Sequence, residues 1–473
     1  MLKRIFLFAL ILMFADYYPQ TDEYNSKVKK SIDTRFIKNK FFNASQISID
    51  IFDLSDNKSV YQKNNELLFL PASNLKLLTT TAALKFLGTN YSFNTALLIN
   101  GSIVDSVLYG SVIIKAGLDP LFSLDDLKNF SNRITMLGIK KIEGNLIADC
   151  SIKDSVYWGS GWQWDDEPSP DAPHLNALNI NSNLVSVTAL LSNSKISYTL
   201  QPQTNFVSVK TFSDMDETDI SITRNWLAGK NEIIIKYNEN ISGSISIEES
   251  KSLNVTSPEL FFLTLLKENL MEEGVQFEGE IFKSYNQLSG DSVFAISRNI
   301  YEVTNYLLKH SDNLSAEMLL YALASQSHTP AKIQDGLIKV DSLISLIGLS
   351  SHNYKIVDGS GLSRYNLISC GLIVKLLIYL YKDEPEIFKI IFESLPVAGV
   401  DGTLKTRMLN TPAEKNVHAK TGTLAGVSAL SGYLTNANGH LIAFSINIQN
   451  YVSGSTKARN LIDSICSILT STK

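Results

Sequence analysis

Residues 66–80 read ELLFLPASNLKLLTT, with a lysine where an apolar residue would be at ease. Lys76 sits among Leu75, Leu77 and Leu78, three residues after Ser73. A charged amine in an apolar setting is costly unless it is paired or gives up its proton. Pro71 suits a first helical position, and apolar residues continue to Leu87 before Gly88, which predicts a helix opening beside Ser73. Residues three apart share a helix face, with Cβ atoms about 5–6 Å apart. A serine hydroxyl is a weak nucleophile that needs a neighbouring base. Lysine can be that base when burial or nearby positive charge lowers its pKa. The greasy setting of Lys76 is then the activating device.

The S-x-x-K spacing alone is weakly specific, since Ser26–Lys29, Ser55–Lys58 and Ser192–Lys195 share it. Ser55-Asp56-Asn57 falls at an expected turn, with no buried helix to depress a lysine pKa. Two further short motifs lie far along the chain. Ser311-Asp312-Asn313 precedes the helical run LSAEMLLYALA, and by itself would read as a helix N-cap cluster. Lys420-Thr421-Gly422-Thr423 lies just ahead of the strand candidate VSALSGYLTN.

The chain has 473 residues, enough for two or three domains. It is 44% hydrophobic and 19% charged, with a net charge of −5 and no basic block, which gives no support for nucleic-acid binding. Lys3 and Arg4 followed by an apolar run from Ile5 to Ala15 read as an export signal. Eleven residues rise only about 16 Å as a helix, short of the ~30 Å bilayer core. A retained interfacial anchor, with peripheral membrane association, is the alternative. Three cysteines, Cys150, Cys370 and Cys466, make no disulfide framework, and six scattered histidines show no zinc-ligand spacing.

QISIDIFDLSDNKSVYQKN alternates around a turn at Asp56-Asn57 and predicts a strand pair. From about 93 to 250, short alternating segments separated by Gly, Asn and Asp turns predict β-rich material, broken by the long loop GSGWQWDDEPSPDAPHLNALNIN. Helical texture returns with SPELFFLTLLKENLMEEG and IYEVTNYLLKHSDNLSAEMLLYALASQ. The end of the chain reads as two strands, VSALSGYLTN and HLIAFSINIQN, and a helix from about Ser455 to Leu469. Strands at both ends with helices between predict one α+β domain interrupted by a mostly β insertion.

The S-x-x-K, S-D-N, K-T-G set in this order belongs to class A β-lactamases and penicillin-binding proteins. The chain resembles the penicillin-binding D-alanyl-D-alanine carboxypeptidases of peptidase family S13, the low-molecular-mass class C proteins. DGSGLSRYN (358–366) and LPVAGVDGTLKTRM (395–408) look like family signatures, and GSGWQWDD (159–166) resembles its G-W-x-W-D/N-D loop. About 240 residues separate Ser73 from Ser311. That matches a family habit of inserting two domains there, and a plain class A β-lactamase has no room for it.

The resemblance implies a serine β-lactamase/DD-peptidase-like (transpeptidase-like) domain with a two-domain insertion. The expected division is an export signal at 1–19, the catalytic domain at 20–92 and 289–473, a second domain at 93–162 and 251–288, and a mostly β third domain at 163–250. It implies Ser73 as acylated nucleophile and Lys76 as proton acceptor. Ser311 would relay the proton to the leaving amine, and Asn313 would hold the substrate backbone. Lys420 would supply positive potential and help depress Lys76. Thr421 and Thr423 would bind the substrate carboxylate or acyl chain, and Gly422 would leave room for substrate against the strand. Asp149, in IADCSI, and Arg364, in GLSRYN, would recognise the side chain of the stem peptide. No cofactor or metal is implied. The expected partners are peptidoglycan stem peptides, with β-lactams as covalent inhibitors, in a periplasmic or other extracytoplasmic setting. The leading reading is an exported serine DD-peptidase acting as carboxypeptidase, endopeptidase or both, and the competing readings are a slow, non-catalytic wall-binding protein and a β-lactamase-like hydrolase. A fluorescent penicillin separates them, through stable label, no label or rapid loss of label.

Overall fold

The computed structural model describes residues 20–38, 44–241, 246–452 and 454–473. The expected export signal, 1–19, lies outside the described residues. Among these, no helix is long and apolar enough to cross a membrane.

The two ends of the chain build one antiparallel sheet. Its strands run in the order His418–Leu424, Val427–Thr435, Leu441–Gln449, Gln46–Asp53, Lys58–Lys63. The pairing of Gln46–Asp53 with Leu441–Gln449 joins residues nearly 400 positions apart, with Ile49 opposite Ile446. Strand alternation then sorts the two faces. Ile47, Ile49 and Ile51 turn towards the helices Gln20–Lys38 and Thr456–Ser471, where they meet Val28, Ile32, Ile465 and Leu469. Ser48 and Asp50 face the other way, and the Ser48 carbonyl accepts from Cys370. The K-T-G residues, expected just ahead of a strand, are themselves the edge strand His418–Leu424.

On the second face lies a helical layer. Lys76–Leu87 is its centre and packs against Asn313–Ser325, Ile333–Leu346 and Pro385–Ser394. Residues from Leu77 to Ala83 are buried without a break, as a helix surrounded on all sides requires. Gly88, at φ 90°, ends it.

The insertion leaves after Leu87. Strands from Ser92 to Asp149 and from Gln276 to Asn299 make a seven-stranded mixed sheet, covered by the helices Leu124–Met136 and Pro258–Glu272. Phe122, Phe130 and Phe262 close that core, with ring centroids 4.9–6.5 Å apart. Two three-stranded sheets, built from strands between Leu184 and Asn254, form the β-rich tip. The strand Asp291–Asn299 pairs with Ser92–Val104. The chain therefore rejoins the helical layer at Ile300, some ten residues after the boundary expected at 289.

Candidate active site

Ser73 lies in a one-turn 3₁₀ segment, Ala72–Leu75, which runs directly into the helix beginning at Lys76. Three contacts fix this turn. Asn74 Nδ2 donates to Ser431 Oγ at 2.6 Å, tying the turn to the sheet. Gly422 lets the K-T-G strand approach, because a Cβ there would lie 2.9 Å from the Pro71 carbonyl oxygen. Gly361, at φ 81°, comes closer still: a Cβ would lie 1.9 Å from the Ala72 carbonyl oxygen. Gly422 was expected to make room for substrate, but its bare Cα is needed first by the protein itself.

Lys76 is fully buried. Its Nζ reaches Ser73 Oγ at 2.9 Å, Asn313 Oδ1 at 2.5 Å and the Ser360 carbonyl at 2.7 Å. Burial is the main cause that lowers its pKa to about 8, against the pull of Asp358, Asp312, Glu317 and Asp171 in the other direction. A neutral amine can reverse the Ser73 contact and accept the hydroxyl proton.

Asn313 stands across Lys76 from Ser73. The helix Ile300–His310 ends at Ser311 in a left-handed conformation, φ 64°. Asp312 then caps the next helix by accepting from Ser315 N. The N-cap reading of Ser-Asp-Asn therefore holds for Asp312, while Asn313 turns to Lys76. Asn313 uses both ends of its amide, accepting from Lys76 and donating from Nδ2 to the Asp171 carbonyl at 2.6 Å.

Lys420 is also fully buried and donates to the Thr421 carbonyl. Burial, then the Lys76 charge, holds its amine well below the usual lysine range. Burial is the main cause for both lysines, and at Lys420 the Lys76 charge adds to it. Thr421 Oγ1 donates to Thr403 Oγ1 at 2.8 Å, and Thr423 Oγ1 accepts from Arg459 at 3.5 Å.

Two carboxylates support this arrangement from below. Glu317 accepts from the backbone N–H groups of Gly359 and Ser360, and burial raises its pKa. Asp358 accepts from Gly361 N, Ser363 N, Asn366 Nδ2 and the indole of Trp162. Together they hold the loop whose Ser360 carbonyl accepts from Lys76, and bring the GSGWQWDD loop against it. Glu317 went unnoticed in the sequence, yet its signal is that of Lys76: one charge inside an apolar helical run. Gly361→Ala is expected to push back the Ser73 turn and slow penicillin acylation about 100-fold, with the fold retained on circular dichroism.

Arg364 and Asp149 do not meet. Arg364 reaches over the end of the K-T-G strand, donating to the Ala425 carbonyl and to Gln163 Oε1. Asp149 is 1% exposed, and its two oxygens accept from Ser151 N and Leu288 N. Its carboxylate closes a turn inside the insertion, which leaves no face for a ligand ammonium. The expected Asp149–Arg364 pocket is corrected accordingly.

The fold and the serine–lysine pair define a serine hydrolase of the penicillin-recognising type. The chain belongs to the D-Ala-D-Ala carboxypeptidase 3 (S13) family, whose model matches residues 28–472. It is 27% identical to the D-alanyl-D-alanine carboxypeptidase DacB of Haemophilus influenzae over 446 residues, covering 91% of this chain and 90% of that one. It is 29% identical to the D-alanyl-D-alanine carboxypeptidase of an Actinomadura species, covering 85% of this chain and 77% of that one. The crystal structure of penicillin binding protein 4 from H. influenzae superposes with a TM-score of 0.80 at 26% identity, covering 95% of this chain and 98% of that one.

Proposed function

We propose that the protein is a penicillin-sensitive serine D-Ala-D-Ala carboxypeptidase acting on peptidoglycan stem peptides, and that Ser73, Lys76, Ser311, Asn313 and Lys420 carry the reaction. The observation that carries this reading is the buried Lys76 amine, 2.9 Å from Ser73 Oγ with a pKa near 8. Neutral Lys76 takes the hydroxyl proton as Ser73 Oγ attacks the carbonyl between the two D-alanines. Backbone N–H groups of Ser73 and Thr423 receive the oxyanion, a role worth about 3–4 kcal/mol per donor in related chemistry. Ser311 passes the proton to the leaving amine, and the terminal carboxylate rests on Thr421 and Thr423 under the potential of Lys420. Asn313 holds Lys76 towards Ser73 and can exchange its bond with the Asp171 carbonyl for one to the substrate backbone. Water then hydrolyses the Ser73 ester.

Gly422 serves this site by letting the K-T-G strand close on the Ser73 turn. Arg364, beside Ala425 at the strand end, is placed to receive the acyl-side residue of the stem peptide. A β-lactam would follow the same first step and stall as the acyl-enzyme; the penicillin binding protein 4 of H. influenzae has been crystallised with a β-lactam. Work on peptidoglycan requires an extracytoplasmic location, which the basic and apolar residues 3–15 would provide as an export signal.

The test is incubation with a pentapeptide ending in D-Ala-D-Ala and with a fluorescent penicillin. Release of one D-alanine and a persistent covalent label are expected. Arg364→Ala should lower kcat/KM for peptides with a free diamino side chain by at least tenfold, and that for simple penicillins much less. Equal losses would make Arg364 a support of the loop.

A further inference from the structure

Asn313 turns its amide oxygen to Lys76 and its amide nitrogen to the Asp171 carbonyl. A carbonyl can only accept, so with Asp171 in place the amide has one good orientation, oxygen towards Lys76. We propose that Arg224, in the β-rich tip of the insertion, is a positioning residue for Asn313: it holds the loop 167–174 so that Asp171 presents its carbonyl to Asn313 Nδ2. This role rests on the one assigned to Asn313 above, and it gives the tip a part in preparing the site.

Arg224 ends the strand Ser221–Arg224, and Asn254 ends Ile247–Asn254 in the other sheet of the tip. Their side chains meet where the loop passes. The Arg224 side chain is 1% exposed, and its Nη2 donates to Glu167 Oε2 and, at 2.9 Å, to Asn254 Oδ1. Its Nη1 donates to the Lys230 carbonyl at 3.2 Å. The other Glu167 oxygen meets His174 Nε2 at 2.6 Å. Asn254 Nδ2 donates to the Ala172 carbonyl at 2.7 Å, and its backbone N–H to the Pro168 carbonyl at 3.2 Å. The loop is therefore gripped at 167, 168, 172 and 174. Asp171 lies inside that grip, itself exposed, with its carbonyl 2.6 Å from Asn313 Nδ2.

An apolar side chain would fill the place of Arg224 without the cost of burying a charge. What the guanidinium adds is a planar set of donors in fixed directions, which joins both tip sheets and the loop in one register. In the free protein the Asp171 carbonyl then occupies the position that the substrate backbone carbonyl takes on Asn313. When the stem peptide arrives, Nδ2 changes partner while the amide oxygen already faces Lys76. The gain falls on the second-order acylation rate, which starts from the free protein.

The experiment is a double-mutant cycle on the second-order rate of penicillin acylation, with circular dichroism reporting the fold. Arg224→Met is expected to lower the rate about tenfold and Asn313→Ala about 100-fold, with the double variant no slower than Asn313→Ala alone. Glu167→Gln, which weakens the same grip from the loop side, should repeat the pattern, and decides the matter if Arg224→Met does not fold. A wild-type rate in the folded Arg224 or Glu167 variant overturns the inference, as do losses that multiply in the double variant. In both cases the carboxypeptidase reading stands. An Asn313→Ala protein acylated at the wild-type rate would instead refute the role of Asn313 in the reaction, and the positioning role with it.

Discussion

Ser73→Ala is expected to abolish penicillin labelling and to lower D-alanine release by a factor on the order of 10⁴–10⁶, the usual loss when a serine nucleophile is removed. Ser55→Ala, at the other S-x-x-K that imitates a second motif, should leave both at wild-type values. The two serines differ in surroundings more than in sequence. Ser55 sits in the turn between two strands, where its hydroxyl accepts from Leu441 N and the backbone N–H groups of Ser55 and Asp56 donate to Asp53 Oδ1. Ser73 faces a fully buried amine in a turn held by Asn74, Gly361 and Gly422. A Ser73→Ala protein that still releases D-alanine at the wild-type rate would remove Ser73 from the reaction.

Lys76→Met keeps most of the buried volume and removes the base. Acylation should fall by about 10²–10⁴-fold, the range that a positioned general base contributes. In the wild type the acylation rate should rise with pH and level off above about 8, because the deprotonated amine is the active form. Below that point the rate should drop about tenfold for each pH unit. A neutral residue at Lys420 removes one nearby positive charge and should move the limb upward. Most of the depression should nevertheless survive, since burial is its principal cause. A limb that stayed near the ordinary lysine range in wild type would show that the amine is not buried during acylation. Stopped-flow measurement of acylation by a chromogenic cephalosporin between pH 6 and 10 gives both results.

Residues 66–80 made the helix and the Ser73–Lys76 pair legible, because a lone cation in an apolar run is a local signal, but singling out that pair took the S-D-N and K-T-G motifs as well. The hairpin at 46–63 and the closing strands and helix were equally legible from alternation and turn residues. What local reasoning could not supply was the pairing of Gln46–Asp53 with Leu441–Gln449, which depends on contacts across the whole chain. The K-T-G stretch was missed as a strand because His418-Ala-Lys-Thr-Gly-Thr has little β-branched apolar content, and its edge position is set by the pairing with Val427–Thr435 and a bridge to Val397. Asp149 misled for the opposite reason. An acid before a Cys-Ser pair looks available in sequence, but two backbone amides take up its oxygens. Glu317 and Asp358 escaped because Glu317 binds backbone N–H groups, and Asp358 adds to such groups side chains from distant stretches, which no local motif announces.

The central claim is that the acyl group is carried on Ser73. Penicillin-treated protein, digested with trypsin, should show the penicilloyl mass on the peptide NNELLFLPASNLK, residues 64–76, with fragment ions placing it on Ser73. An adduct on any other residue, or an unmodified 64–76 peptide from fully labelled protein, would contradict the account.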